Sequence, residues 1–409
     1  MRYTMEIRFL FLLPSLGMLL LFAATPPQVR CQYEVEQERP FWARGLFDVR
    51  VARGGRTHAW TSRGLGKTRY GGRTTPQGSE RVTRLSVAQL ALEARATLPW
   101  DIIAHAQLNW YPDSYADDRP LLIEAYFRKE WGGWEKGWGV QTGVINPPFS
   151  LEHREPARTP QYTLTPSALN TWIWEEGRVV GIEGQWWQTL DNGMSLSILA
   201  GAGFGPDQMG HLLAVRGWIL SDMLAGINSD APLPELGQQV PVFDERDHRP
   251  SIYSLVSLKD SRERVEFSLG YFDTLGNQNT QGVWETRLGT AGIILRPFAH
   301  VEFLSQYMEG VTQSKATCDI SFSAWYGLLS FPYRGHRLSI RYDFFRTNDL
   351  DGAPFYREHG DGVTLAYLFE FGLHHRVGFE YIWLHSRYPL FSDADPSDSG
   401  WQLSYRFRY

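Results

Sequence analysis

The feature that most constrains this chain is an alternation of apolar and polar residues with period two, carried by segments of roughly ten residues that recur about sixteen times. In 100–111, Ile102, Ala104, Ala106, Leu108 and Trp110 fall on one face, and Asp101, His105, Gln107 and Asn109 on the other. In 337–345, Leu338, Ile340, Tyr342 and Phe344 oppose Arg337, Ser339, Arg341 and Asp343. A helix cannot separate neighbours in this way, whereas a strand must. The same reading places strands over 47–53, 84–98, 122–131, 138–146, 178–190, 194–204, 251–259, 264–273, 284–295, 299–308, 317–331, 361–371, 375–387 and 400–409. Segments of this length suit a tilted strand crossing a bilayer.

The connections alternate in length. Seven tight turns (99–100, 132–137, 191–193, 260–263, 296–298, 332–335, 372–374) are interleaved with eight generally longer loops (54–78, 112–120, 147–177, 205–250, 274–283, 309–316, 347–360, 388–399). The fold class expected is therefore all-β: a transmembrane antiparallel barrel of about 16 strands with short periplasmic turns and long extracellular loops. The alternative is a soluble β-sandwich or propeller, where the alternation would separate core from solvent. The last segment alternates Trp401, Leu403, Tyr405, Phe407 and Tyr409 with Gln402, Ser404, Arg406 and Arg408. It resembles the carboxy-terminal insertion signal of outer-membrane proteins, which implies the barrel-assembly machinery as a partner.

The amino terminus carries basic residues followed by an apolar stretch over 9–24, which reads as a secretory signal peptide. Residues 1–31 are assigned to it, with cleavage after 24 or 31 both open, and 32–409 to a single outer-membrane barrel domain. No other apolar run is long enough for a membrane helix. Aromatic residues make up 14% of the chain, with 16 Trp, which suits interfacial girdles. With two cysteines, one of them Cys31 beside the cleavage site, the chain is neither a disulfide scaffold nor a thiol metal site.

Function is sought in the third long loop, 147–177, which carries Glu152, His153, Arg154, Glu155 and Arg158. Folded inward, such opposed charges would form a constriction with a transverse field. Strand parity nominates Arg95, Arg128, Arg287, Arg341, Arg376 and Arg406 as lumen cations, against Glu93, Glu124, Glu183, Glu266, Glu302, Asp343 and Glu380. The signs nearly balance, so weak selectivity is expected.

The run Gly143-Val-Ile-Asn-Pro-Pro-Phe-Ser-Leu-Glu152, with Arg178-Val-Val-Gly181 downstream, resembles the pattern of the phosphate-selective porin family. That resemblance implies a sixteen-stranded channel and a homotrimer. This chain departs from the family at 274–283, which has no Lys or Arg where the family carries a lysine-rich anion trap.

The first loop is basic, with Arg50, Arg53, Arg56, Arg63, Lys67, Arg69 and Arg73, and outer-membrane lipid and lipopolysaccharide are the anionic partners expected for it; nucleic acid is not. The fourth loop holds Asp222, Asp230, Glu235, Asp244, Glu245 and Asp247, open to pairing with loop one or to calcium, but without the spacing of a defined calcium loop. No metal and no cofactor are expected. The leading functional reading is a channel for passive diffusion of small hydrophilic solutes or ions. Two rivals stand beside it, a binding or adhesion barrel with a plugged lumen and a barrel hydrolase. Asp247-His248 and Glu358-His359 could orient a base for the hydrolase, but no nucleophile motif accompanies either pair, and no enzyme is expected.

Overall fold

The computed structural model describes residues 40–76, 78–114, 119–232, 239–352, 356–387 and 397–409. The signal peptide assigned to 1–31 lies outside them. The chain opens with β1 (Phe41–Arg53) and a short ribbon of β2 (Arg73–Thr75) and β3 (Gly78–Glu80). There follow β4 (Thr83–Leu98), β5 (Ile102–Trp110), β6 (Leu121–Gly132), β7 (Lys136–Ile145), helix α1 (Ala168–Glu176), β8 (Val179–Thr189), β9 (Ser195–Phe204) and the short helix α2 (His211–Arg216). A second ribbon, β10 (Asp230–Pro232) and β11 (Gln239–Pro241), precedes β12 (Ser251–Lys259), β13 (Val265–Asp273), β14 (Glu285–Phe298), β15 (Val301–Ser314), β16 (Cys318–Tyr333), β17 (His336–Asp349), β18 (Glu358–Phe371), β19 (His375–Arg387) and β20 (Ser397–Arg408).

All strands except the two ribbons form one closed antiparallel barrel of sixteen, each paired with its neighbour in sequence, and β1 closes on β20. Closure pairs the backbone of every wall strand on both sides, which is what a sheet immersed in hydrocarbon requires. The barrel is inside out relative to a water-soluble fold. Along β17, Leu338, Ile340 and Tyr342 are 47%, 47% and 42% exposed, whereas Ser339, Arg341 and Asp343 are 0%, 0% and 1% exposed. A soluble sandwich would reverse these values, so the sandwich alternative is excluded. Exposed aromatic side chains gather toward the turn rim, among them Trp100, Trp131, Trp134 and Phe298, and Trp131 stacks on Trp138 with ring centroids 4.0 Å apart.

The turns are tight. Between β16 and β17 only Arg334 and Gly335 intervene, with φ of 47° and 83°. Two successive positive φ values make the turn that matches strand twist, and glycine takes the second without strain. Strand limits depart from the sequence reading at several strand ends. β1 begins at Phe41 rather than 47, β17 runs on to Asp349 rather than 345, β18 begins at Glu358 rather than 361, and β15 runs on through 309–314, leaving Lys315 to Thr317 as the whole connection to β16. Bilayer thickness sets a minimum strand length, and this hairpin continues past it.

Candidate functional site: an inward loop and a lumenal plug

Residues 146–178, between β7 and β8, fold into the barrel and cross it. The entry is fixed by Phe149, whose ring meets Tyr253 and Phe272 edge-on at 6.4 Å each and whose carbonyl accepts from Gln306 Nε2 at 2.8 Å. Wall carboxylates then satisfy the loop's own N–H groups. Glu380 accepts from Leu164 N at 2.7 Å and Thr165 N at 3.0 Å, and Asp343 accepts from Ala168 N at 3.2 Å. Ser167 caps α1, its hydroxyl accepting from Asn170 N at 3.3 Å, a cap contributing about 1 kcal/mol. At the pivot, Glu152 is fully buried, accepting from Ser167 N, Ser167 Oγ, Asn170 Nδ2 and, at 3.1 Å, Arg341.

The nominated loop residues divide into two groups. Glu152 and His153 are buried in the crossing, and Arg154, Glu155 and Arg158 face the lumen wall. Arg154 pairs with Glu266 at 2.8 Å, Arg158 with Glu124 at 3.0 Å, and Glu155 with Arg408 at 2.6 Å and Arg376 at 3.5 Å. Of the wall residues, Glu93 accepts from Ala157 N at 3.3 Å, Arg128 pairs with Glu130 at 2.6 Å, and Glu183 accepts from Tyr253 OH at 2.9 Å. Arg341 pairs with Asp343 at 2.7 Å, Arg406 with Asp48 at 2.8 Å, and Arg95 lines the lumen. Arg287 is a correction: it sits on the outer face of β14, with Asp273 and Glu285, because Thr286 and Leu288 on either side of it are the buried, inward residues.

On the turn side the loop leaves two chambers. The larger, about 680 Å³, is lined by Arg44, Arg95, Arg128, Arg154 and Arg158 and by Glu93, Glu124, Glu130, Glu155 and Glu183. Five cations facing five carboxylates leave no persistent sign. The smaller, about 370 Å³, includes Arg337, Glu370, Arg376 and Arg408. Glu155 borders both, so the loop is the partition between them. Arg44, Arg337, Glu370 and Arg408 were absent from the sequence nomination, although extending strand parity toward the turns would have found them.

The loop side of the lumen is different in kind. Trp60 from the first loop, Leu169, Trp172 and Ile173 from α1, and Leu213, Trp218, Leu220 and Leu224 from the fourth loop form one buried apolar cluster with wall residues Leu288, Met308, Phe322 and Phe345. Trp172 meets Trp218 at 5.7 Å and Phe322 at 4.9 Å, and Trp218 lies 6.2 Å from Phe345. Buried ion pairs stitch the segments together. Asp222 binds Arg50 at 2.6 Å and Arg69 at 2.9 Å, Lys67 meets Glu358 at 2.9 Å, and Arg216 meets Glu175 at 2.5 Å. Loop one and loop four therefore pair, one of the two expectations for those acids. Of the basic residues read as a lipopolysaccharide surface, Arg50, Lys67 and Arg69 turn inward, while Arg53, Arg56, Arg63 and Arg73 are exposed.

Solved structures share this architecture at low sequence identity. An anion-selective porin from Comamonas acidovorans matches with TM-score 0.55 and 13% identity over 90% of this chain and 99% of that one. The outer membrane channel DcaP of Acinetobacter baumannii matches with TM-score 0.53 and 10% identity over 90% and 97%. OmpT of Vibrio cholerae, described as outer-membrane expressed, gives 0.52 and 10% over 90% and 97%. What is shared is the fold, which in this chain is the closed antiparallel barrel of sixteen strands. No protein-family model matches the chain, and no curated protein matches it in sequence.

Groups that could be mistaken for catalysts have structural work. Ser150 Oγ lies 2.8 Å from His153 Nδ1, but the same hydroxyl accepts from Glu152 N and His153 N, and burial drives the His153 imidazole down to about 3, foremost by desolvation and then by Arg158. Glu358 points inward to Lys67 and Trp218 N, while His359 points outward against Phe344, so that pair does not converge. Asp247 accepts from Arg249 N and Asn277 N as a loop brace.

One carboxyl in the plug is poised to titrate. Glu176 accepts from Trp172 Nε1, Gly210 N and Leu212 N, and is pushed from 4.5 up to about 7 by burial first and then by Glu175, against those donors and Arg216. A carboxyl raised in the folded state binds its proton more tightly there than when released. The stability it contributes is thus present at low pH and declines as pH rises from about 4.5 through 7. Current fluctuations in single-channel records are expected to become more frequent from pH 5 to pH 8, and Glu176→Gln to flatten that profile. A wild-type profile already flat would remove Glu176 as its source.

Proposed function

We propose that this protein is an outer-membrane channel for small hydrophilic solutes or ions, with its turns in the periplasm and its conductance limited by the inward loop and the plug. The observation that supports this is the inverted barrel with a charged, solvent-lined turn-side lumen, partitioned by residues 152–161. Its fold is that of proteins described as an anion-selective porin and an outer membrane channel. Catalysis is not part of the proposal.

Selectivity is weak in this reading, because the larger chamber sets five carboxylates against its five arginines. The phosphate-selective resemblance at 143–152 is kept only as a local likeness, since the segment 274–283 has no cation to trap an anion. Reversal potentials in a KCl gradient should lie near zero. Replacing Arg158→Glu frees Glu124 and adds a charge, and should shift the reversal potential toward cation preference by at least 10 mV, on the order of a fewfold permeability ratio. An unchanged potential would place the restriction elsewhere.

The exposed Arg53, Arg56, Arg63 and Arg73 suit lipopolysaccharide phosphates. A homotrimer is proposed by analogy, since one solved form of the Vibrio cholerae protein is described as a trimer. The test of the main reading is planar-bilayer recording on unheated purified protein. Small, weakly selective steps support a channel. Folded protein with no conductance would favour the second reading, a binding barrel with a plugged lumen, which the Trp172–Trp218 core specifically suggests.

A further inference from the structure

The geometry points to a calcium site at the neck of the fourth loop, formed by Asp207, Glu245 and Asp247. One carboxylate oxygen from each lies within 4.8 Å of the others. Oxygens bound to one Ca²⁺ at about 2.4 Å can be at most about 4.8 Å apart, so the three fit around a single ion. Asp207 is far in sequence from Glu245 and Asp247, which is why no ligand spacing was visible there.

Asp207 supplies the observation that asks for a ligand. It is 1% exposed, its Oδ2 accepts from Arg246 N at 2.5 Å and Asp247 N at 3.1 Å, and its Oδ1 is buried with no hydrogen-bond partner. A buried carboxylate oxygen without a donor is costly, and a cation is the group that would satisfy it. Among the described residues, no ion pair involves Asp207, Glu245 or Asp247, and the Arg246 guanidinium is turned to Asp244 at 2.5 Å. The fold therefore gathers three carboxylates and supplies no side-chain cation to them.

The carboxylates are held in place without the ion. Glu245 accepts from Gly205 N at 2.8 Å and His248 N at 2.7 Å, and Asp247 from Arg249 N at 2.9 Å and Asn277 N at 2.5 Å. Each oxygen keeps a lone pair after these bonds. The all-oxygen donor set favours a hard cation, and Ca²⁺, which accepts irregular coordination, suits three carboxylates already held by backbone donors better than Mg²⁺, which demands near-ideal octahedral geometry. The ion would fasten the two ends of the fourth loop to each other and, through Asn277 N and the bond from Trp284 N to Asp207 O at 2.7 Å, to the neighbouring 274–284 segment.

The site is tested on the folded full-length protein, stripped with chelator and titrated with Tb³⁺ under tryptophan excitation, Trp284 being the adjacent sensitiser. Calcium is then used to displace the lanthanide. The expected result is one site per chain, displaced by Ca²⁺ with a Kd of about 10⁻⁴ to 10⁻³ M and at least tenfold less well by Mg²⁺. Asp207→Asn should weaken binding at least tenfold. Glu245→Gln is the second variant, informative should Asp207→Asn not fold. Either folded variant binding as wild type, or wild type showing no saturable sensitised signal, overturns the assignment.

Discussion

Replacing Trp172 and Trp218 together with alanine will raise single-channel conductance several-fold while leaving the barrel closed. These two indoles are the centre of the plug, joining α1 and the fourth loop to Phe322 and Phe345 of the wall. Each truncation of a buried Trp costs about 3–5 kcal/mol, and the two are in contact, so the sum is not additive. The loss falls on packing among the loops and against the lumen face of the wall, with the hydrogen bond from the Trp218 indole to the Arg346 carbonyl, while the backbone ladders between strands stay intact. The barrel should therefore retain its resistance to unfolding in detergent, readable as heat-modifiable migration on a gel, while bilayer recordings show larger steps. Conductance equal to wild type in a protein that still migrates as folded would mean that the apolar core does not limit the current.

The second large effect is expected at Arg341. Its guanidinium donates to Asp343, Glu152, the hydroxyls of Thr163 and Thr364, and the carbonyls of Thr165 and Pro166, all in a fully buried setting. Arg341→Ala removes these bonds and strands two carboxylates without their cation, which costs about 3–5 kcal/mol. The inward loop should detach from β17, becoming cleavable between 152 and 166 by protease added to the folded barrel. A companion carrying Arg341→Met, Glu152→Gln and Asp343→Asn removes the charges together and should recover much of the protection. Equal resistance of Arg341→Ala and wild type would show that the crossing is held elsewhere.

How much of this was legible in the sequence depended on whether side-chain period carries the information. Residues 337–345 announce a strand whether the outside is lipid or water, because Leu338, Ile340 and Tyr342 must all point one way. All sixteen wall strands were legible for that reason. The plug was not, because Trp172, Trp218, Ile219 and Leu220 sit in short or irregular segments with no sustained period. The hints were Ser167 as a cap before a short helical run and the apolar runs Leu212 to Val215 and Trp218 to Leu220 inside a loop that also carries acidic residues. Arg287 was misread because charge was assumed to face the lumen, whereas beyond the hydrocarbon layer an outer-face Arg has water and Asp273 to meet it. The inward placement of Lys67 and Arg69 depends on Glu358, Asp113 and Asp222, which are distant in sequence.

The pairing of β1 with β20 has a consequence for how the protein is made. Gly45 and Tyr409 exchange two backbone hydrogen bonds, each 2.9 Å, between the first and last strands of the wall. A nascent chain lacking its final strand would present two raw edges, on β1 and on β19, each an unpaired row of donors and acceptors able to recruit a neighbour. The seam is thus the last joint to be sealed, and a short carboxy-terminal deletion should turn a well-behaved membrane protein into an aggregating one although fifteen of its strands are intact.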